Sequence, residues 1–144
     1  MFSKSCEYGI RALIFIAMKS KREERVNMPD ISKAINSPSA FTAKILKELV
    51  KGNILKSTRG PHGGFEISEE KRRTTKLVEI IKAIDSDAIY NRCGLGLSEC
   101  NEITPCPLHG KFKFVRDDLK TMLDNTTLED LASQLENGTA FLKL

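Results

Sequence analysis

A turn rich in glycine and proline lies between two short apolar segments near the middle of the chain. The segment ILKSTRGPHGGFEIS covers residues 54–68 and separates strand-like residues 54–57 from strand-like residues 65–68. Glycine and proline supply the backbone conformations of tight turns and interrupt helices. The pattern therefore excludes a continuous helix here and predicts a β-hairpin with a long tip.

Three segments with helical spacing of apolar residues precede this hairpin. The first helix is predicted over Ser5–Lys19, the second begins after the N-cap Asn27, and the third begins after the N-cap Ser37 and ends at Gly52. Three helices followed by a basic hairpin form the order of a winged helix-turn-helix, in which the third helix reads DNA. We predict a mainly α fold with a small β-hairpin wing, followed by a long dimerisation helix.

The charge is divided unevenly along the chain. Residues 1–76 carry 16 Lys and Arg against 8 Asp and Glu, whereas residues 77–144 carry 7 against 11, within totals of 23 and 19. A basic half joined to an acidic half indicates that one end of the protein faces a polyanion. The charge pattern therefore favours a nucleic-acid partner for the predicted winged domain.

Composition narrows the class of protein further. The chain is 40% hydrophobic and 29% charged, which is typical of a soluble globular protein. The apolar segment GIRALIFIAM is interrupted by Arg11 and has no cleavage site, so we expect a cytoplasmic protein without a signal peptide. No catalytic motif is present, and we expect neither enzyme activity, nor a small-molecule substrate, nor a membrane partner.

Most of the soft-metal ligands of the chain lie in one segment, CGLGLSECNEITPCPLH. It holds Cys93, Cys100 and Cys106 with the spacing C-x6-C-x5-C, and it ends at His109. These cysteines could be small core residues, but the sequence between them lacks the periodicity of a strand or helix. A metal-holding loop is the better interpretation, and the absence of a C-x2-C pair weighs against a structural zinc site.

The segment after the cysteines has the apolar spacing of a coiled coil. Its apolar residues follow alternating steps of four and three: Leu108, Phe112, Val115, Leu119 and Met122. Such a stripe can also pack on the core of its own chain. Because the winged domain offers little core for so long a helix, we predict that the stripe forms the interface of a homodimer.

Five segments, taken in order, resemble those of a known family. They are YGIRAL, SPSAFTAKILKELVKGNILKSTRGPHGGF, TTKLVEIIKAID, CPLH and TTLEDLA, and the sharpest part is the turn RGPHGGF. On these motifs the sequence resembles the Rrf-type family of bacterial winged-helix regulators over nearly its whole length. The resemblance implies a homodimer that binds double-stranded DNA.

The resemblance also implies an iron–sulfur cofactor. Cysteine-bearing members of the family hold a cluster on three cysteines of this loop, which correspond to Cys93, Cys100 and Cys106. Thiolates are soft ligands that suit such clusters, and three of them leave one position for a weaker ligand. A cluster held in this way is easier to attack or lose, which suits a sensor. Whether it is [2Fe–2S] or [4Fe–4S] stays open.

The fourth ligand has three candidates. Some members of the family use a histidine at the position of His109, and others use an aspartate of the partner subunit at the position of Glu7. Cys6 is the third candidate, as a thiol beside Glu7. We favour Glu7 because the spacing ECNEITPC resembles the aspartate-using members, although Glu7 could instead pair with Arg11 one helical turn away.

The resemblance and the helix-turn-helix order together predict the DNA-binding residues: Ser39, Phe41, Thr42, Lys44, Arg59, Pro61 and His62. Many relatives carry a tyrosine and then an acidic residue on the reading helix, where this chain has Phe41 and Ala43. Phe41 can offer only apolar contact or packing. We therefore expect an operator different from those of its relatives.

We predict three parts: a winged domain over 1–88, a cysteine loop over 89–110, and the dimerisation helix with a C-terminal helix over 111–144. The predicted function is a transcriptional repressor whose operator affinity depends on a cluster that senses redox state, nitric oxide or iron–sulfur status. One alternative is an electron-transfer protein with a cluster and an acidic protein partner. Another is a regulator controlled by docking to an enzyme, with incidental cysteines.

Overall fold

The computed structural model describes residues 2–99 and 101–143, so Cys100 lies outside the described residues. The described residues form a winged domain, a loop that contains Cys93 and Cys106, and two C-terminal helices. In chain order the elements are α1 (Lys4–Ser20), α2 (Met28–Ala34), α3 (Ser39–Lys51), β1 (Lys56–Thr58), β2 (Gly64–Glu66), α4 (Glu69–Thr74), α5 (Leu77–Asp85), α6 (Ala88–Asn91), α7 (His109–Asn125) and α8 (Leu128–Glu136).

The ends of the first three helices follow from local hydrogen bonds. Asn27 caps α2 as predicted, since its side-chain oxygen accepts a hydrogen bond from the backbone N–H of Asp30 at 2.9 Å. The predicted cap at Ser37 is wrong, because α3 begins at Ser39, one residue later than predicted, and the Ser37 hydroxyl bonds to that of Thr42 instead. Helix α3 ends before Asn53, whose φ of 56° turns the chain toward the wing.

The wing is a two-stranded antiparallel hairpin with a third segment against its edge. Lys56 pairs with Glu66 and Thr58 with Gly64, while Val26 pairs with Phe65 on the other side. Gly64 is needed here, because its φ is 137° and a Cβ would lie 2.9 Å from the Val26 carbonyl oxygen. The predicted mainly α fold with a hairpin wing is confirmed.

The core lies between α1, α3 and α5 and is filled by aliphatic side chains. Its fully buried members include Leu13, Ile16, Ile31, Leu46, Leu49, Ile80 and Ile81. The burial of each such side chain stabilises the folded state by about 1.5–3 kcal/mol. This shared core sets the exposed face of α3.

Helix α8 packs against the winged domain. Leu128 and Ala132 are fully buried, and Leu128 donates a backbone hydrogen bond to Thr75 at 3.0 Å. Helix α8, predicted to form one part with α7 over 111–144, packs on α1 and α4. Among the described residues, no helix combines the length and apolar character needed to cross a bilayer.

Candidate nucleic-acid interface and cysteine loop

The first half of α3 presents a small polar surface to solvent. Ser39 and Lys44 are exposed, as predicted for residues that reach DNA, and Lys47 extends the same surface. Thr42 is buried, with 1% of its surface exposed, and its hydroxyl donates to the carbonyl oxygen of Pro38 at 3.1 Å. Thr42 was predicted to contact DNA; its position gives it a role in fixing the start of α3.

Phe41, which stands where many relatives carry a tyrosine, packs against the protein's own core. Its ring meets the ring of Tyr8 on α1 edge to face, with 5.7 Å between the centroids. The guanidinium of Arg11 lies 4.9 Å from the centroid of the Tyr8 ring and donates to the carbonyl oxygen of Ile35 at 3.4 Å. These contacts fix the start of α3 against α1.

The tip of the wing is basic and exposed. Arg59, Pro61 and His62 all lie at the surface of the hairpin turn. A guanidinium at a wing tip is suited to phosphates or to a narrow minor groove. The structure therefore brings the predicted wing residues together on one projection from the domain.

Arg25 supports the wing and was not selected from the sequence. It forms a hydrogen-bonded ion pair with Glu66 and donates to the carbonyl oxygen of His62 at 3.3 Å. The hydrogen bond from Arg25 holds the pKa of Glu66 below its usual range, with a further contribution from Lys56. The only signal in the sequence was the position of Arg25 in the charged connector KREERVN.

The described cysteines of the loop lie close to the start of α7. Cys93 is buried, Cys106 is half-buried, and His109 is buried as the first residue of α7. The backbone N–H of His109 donates to the carbonyl oxygen of Cys106 at 2.9 Å, which places both on one turn of chain. The described residues contain no group of three His, Cys, Asp or Glu able to hold a metal, and the predicted ligand Cys100 is outside them.

Helix α7 is held against the cysteine loop by two contacts. The ring of Phe112 lies over Gly94, where a Cβ would come within 2.6 Å of ring atoms. Arg116 donates to the carbonyl oxygen of Arg92 at 3.1 Å. The loop and the first turns of α7 therefore form one packed unit.

Glu7 is an ionised, half-buried carboxylate at the start of α1. Its Oε2 lies 2.7 Å from Lys4 Nζ and 3.4 Å from Arg11 Nη2. The hydrogen bond from Lys4 holds the pKa of Glu7 below its usual range, against a smaller opposing effect of burial, and the charge of Arg11 adds to it. The pairing with Arg11 that the sequence allowed is present.

Cys6 is a core residue in the structure. Its side chain is 1% exposed, and burial raises the pKa of its thiol to about 12, with a further contribution from a hydrogen bond to Asp85. Metal ligation requires the thiolate. Cys6 is therefore poorly suited to the fourth ligand position.

The predicted apolar stripe of α7 divides into two parts. Val115 and Met122 are exposed by 59% and 45%, whereas Leu119 packs half-buried against the protein's own core. Leu108 is half-buried, and Phe112 is engaged with the cysteine loop. Phe114, which the heptad spacing missed, is 76% exposed. The unpartnered apolar face is centred on Phe114, Val115 and Met122.

Comparison with known proteins gives one family. The model of the Rrf2 family, described as an iron-dependent transcriptional regulator, matches residues 2–134. A protein of Aquifex aeolicus assigned to the HTH-type transcriptional regulators is 30% identical over 133 residues, which cover 91% of this chain and 90% of that protein. The HTH-type transcriptional regulator IscR of Escherichia coli is 26% identical over 129 residues, which cover 90% of this chain and 78% of IscR.

Solved structures agree with this result. CymR, described as the global cysteine regulator of B. subtilis, superposes with a TM-score of 0.73 at 25% identity, over 92% of this chain and 96% of CymR. T. potens IscR superposes with a TM-score of 0.74 at 19% identity, over 99% of this chain and 93% of that chain. The second similarity shows a shared fold.

Proposed function

The chain belongs to the Rrf2 family of transcriptional regulators, and from this premise we propose that it is a homodimeric DNA-binding repressor controlled by an iron–sulfur cluster. That the chain is a DNA-binding regulator follows from its membership of this family. The cluster, the dimer and the direction of control are the proposal's additions.

DNA recognition is assigned to α3 and the wing. The observation that carries this assignment is the combination of an exposed α3 surface at Ser39 and Lys44 with an exposed basic wing tip at Arg59. An α-helix fits the major groove, and its N-terminal residues reach base edges. Lys44 supplies phosphate or guanine contacts, while Ser39 can bond to either base or phosphate.

The cluster is assigned to the cysteine loop on the chemistry of its donors. Cys93 and Cys106 lie near one another in sequence around a loop packed on α7, and Cys100 completes the set of three thiols. Three thiolates fit an iron–sulfur cluster better than a hard cation site. When bound, the cluster supplies a centre that reacts with oxidants or nitric oxide.

The fourth ligand is assigned to Glu7 of the other subunit. Its carboxylate is ionised and its side chain is 31% exposed, so it can point away from its own chain. Cys6 is less suited, because its side chain is 1% exposed and packs in the core of its own chain. His109 is the second candidate, since it lies one turn after Cys106. A Glu7 ligand ties the winged domain of one subunit to the cysteine loop of its partner.

The dimer is assigned to the exposed face of α7. Phe114, Val115 and Met122 expose apolar surface on one helix, and association of two copies would remove it from water. Cluster loss would then release Glu7 and relax the angle between two winged domains. Operator affinity would change without a change in any DNA contact.

Anaerobic purification tests the proposal directly. The expected result is a coloured protein with an iron–sulfur absorption spectrum, with iron and sulfide in equal amounts, that retards a duplex from its own upstream region in a gel. Oxidative removal of the cluster should alter that retardation. A coloured protein that binds no DNA contradicts the regulator and supports the electron-transfer alternative.

A regulator without a cluster is the second candidate, and what supports it is the similarity to CymR, which is described as a cysteine regulator. In that case the cysteines would be incidental, and a partner protein would supply the signal. Iron analysis separates the two candidates, because colourless protein without iron that still binds its operator supports the second one.

A further inference from the structure

One carboxylate ties the C-terminal helix to the base of the wing. Glu129, in the first turn of α8, accepts a hydrogen bond from Arg72 Nε at 3.1 Å, and its other oxygen lies 2.5 Å from Lys21 Nζ. The side chains of Arg72 and Lys21 are 10% and 19% exposed. Charged hydrogen bonds withdrawn from water hold their geometry more firmly than exposed ion pairs do.

Arg72 also reaches the wing. Its guanidinium donates to the carbonyl oxygen of Ile67 at 3.2 Å, and the backbone N–H of Ile67 donates to Ser20 Oγ at 3.0 Å. Ile67 directly follows β2. Arg72 therefore stands between the strand that leaves the wing and the helix that follows α7.

The junction between α7 and α8 is fixed in turn to the segment that joins α4 to α5. Leu77 donates a backbone hydrogen bond to Thr126 and Leu128 donates one to Thr75, both at 3.0 Å. Leu123, near the end of α7, is fully buried. An unbroken series of contacts thus leads from α7 through α8, Glu129 and Arg72 to the wing.

We propose that Glu129 and Arg72 are positioning residues that set the half-site spacing the dimer accepts, because they fix the wing relative to α7. This inference rests on the proposed function, since it requires two copies joined through α7 on one operator. Half-sites present the same groove face only when whole helical turns separate them, about 34–36 Å for one turn. A wing held less firmly at its base binds the correct spacing less tightly and discriminates less against others.

The test measures binding as a function of spacing. The wild-type protein selects its operator from a pool of random-sequence duplexes, and the selected operator is remade with base pairs inserted or removed between its half-sites. Fluorescence anisotropy then gives the ratio of affinities for the selected and altered spacings. Thermal unfolding and sedimentation check that each variant is folded and dimeric.

The main variant is Glu129→Gln, which removes the charge and keeps the shape. The ratio of affinities is expected to fall by about 5- to 150-fold, the usual range for coupled sites. Lys21→Gln leaves the bond between Arg72 and Glu129 in place, so it should lower the ratio of affinities by a smaller factor. It replaces Glu129→Gln as the test variant if Glu129→Gln does not fold. Glu69→Gln is the matched control, because it breaks an exposed ion pair of 2.7 Å with Arg73 on the same helix α4.

Failure of the positioning role and failure of the proposed function give different results. A wild-type ratio in a folded Glu129→Gln or Lys21→Gln dimer overturns the inference, and so does an equal fall in Glu69→Gln. A wild-type protein that selects no sequence, or that binds as a monomer, refutes the proposed function and this inference with it.

Discussion

The rings of Tyr8 and Phe41 meet edge to face, with an angle of 80° between their planes. This contact joins α1 to the first turn of α3, so the helix proposed to read DNA is oriented by an aromatic pair rather than by a capping side chain. Edge-to-face pairs contribute about 0.5–1.5 kcal/mol beyond the burial of their area. The pair is therefore a point at which stability and DNA affinity can be changed together.

Replacement of one ring should reveal this contribution. Phe41→Leu keeps an apolar side chain but loses the ring pair, and we expect the free energy of unfolding to fall by about 0.5–1.5 kcal/mol. Urea unfolding measures the change. Phe141→Leu makes the same exchange at a residue that is 75% exposed and should leave stability unchanged. Equal effects of the two substitutions contradict the proposed role of the ring pair.

The wing tip should contribute to affinity without contributing to the fold. Arg59→Ala is expected to weaken operator binding and to reduce the slope of log affinity against log salt concentration by about 1, because one phosphate contact is lost. Arg73→Ala removes an exposed arginine on α4 and serves as the control. If Arg59→Ala binds as the wild type does in a salt titration, the wing assignment is wrong.

The ligands of the cluster should rank in a defined order. Cys100→Ala is expected to abolish the cluster spectrum and to change operator affinity by about 1–3 kcal/mol, or 5- to 150-fold. Glu7→Ala should give a more labile cluster with a smaller effect on affinity, and Cys6→Ala should leave the spectrum unchanged.

His109→Ala decides between the two assignments of the fourth ligand. We expect it to preserve the cluster spectrum, because the carboxylate of Glu7 fills the fourth position. Loss of the spectrum in His109→Ala, together with an unaltered spectrum in Glu7→Ala, would give that position to the histidine. Absorption spectra of both variants, prepared anaerobically, provide the measurement.

The dimer should depend on the exposed face of α7. Val115→Asp places a charge in the proposed apolar interface, and we expect sedimentation to show monomers whose thermal unfolding is preserved. Leu142→Asp makes a similar change at a comparably exposed residue, 43% against 59%, and should leave the dimer intact. Leu119→Asp is a poorer test, since Leu119 also packs on the core of its own chain.

Acid should weaken the tie between α8 and the wing. Burial alone would raise the pKa of Glu129, but the hydrogen bonds and charges of Lys21 and Arg72 outweigh it and lower the pKa. Because the folded-state pKa lies below the unfolded value, the stabilisation is fully present above about pH 4.5 and is lost as pH falls through the folded-state value. Glu129→Gln should flatten this part of the stability curve, as unfolding measured between neutral and acid pH would show.

Local patterns predicted the elements of the winged domain well. The turn residues of RGPHGG and the cap at Asn27 act through backbone geometry and near-neighbour hydrogen bonds, which a sequence displays directly. The start of α3 was misplaced because a serine before a proline reads as a cap, whereas the Ser37 hydroxyl is taken by Thr42. A hydroxyl with two possible partners cannot be assigned from spacing alone.

Contacts between distant segments were not predictable in the same way. Arg25 meets Glu66, and Arg72 meets Glu129, across separations of 41 and 57 residues. Each of these residues reads in the sequence as an ordinary surface charge. The heptad spacing in α7 predicts that Leu119 meets a partner chain, and the structure adds that it is also partly packed against its own core. Spacing alone does not reveal which side of a helix faces its own core.

The buried thiol of Cys6 has a practical consequence. With a pKa of about 12 and 1% of its surface exposed, it can react with an alkylating reagent only when the surrounding core opens. Its labelling rate, followed by mass spectrometry, therefore reports how often α1 separates from α5. Cys6 is therefore a built-in probe of local opening, and it lies next to Glu7, the residue proposed to bridge the subunits.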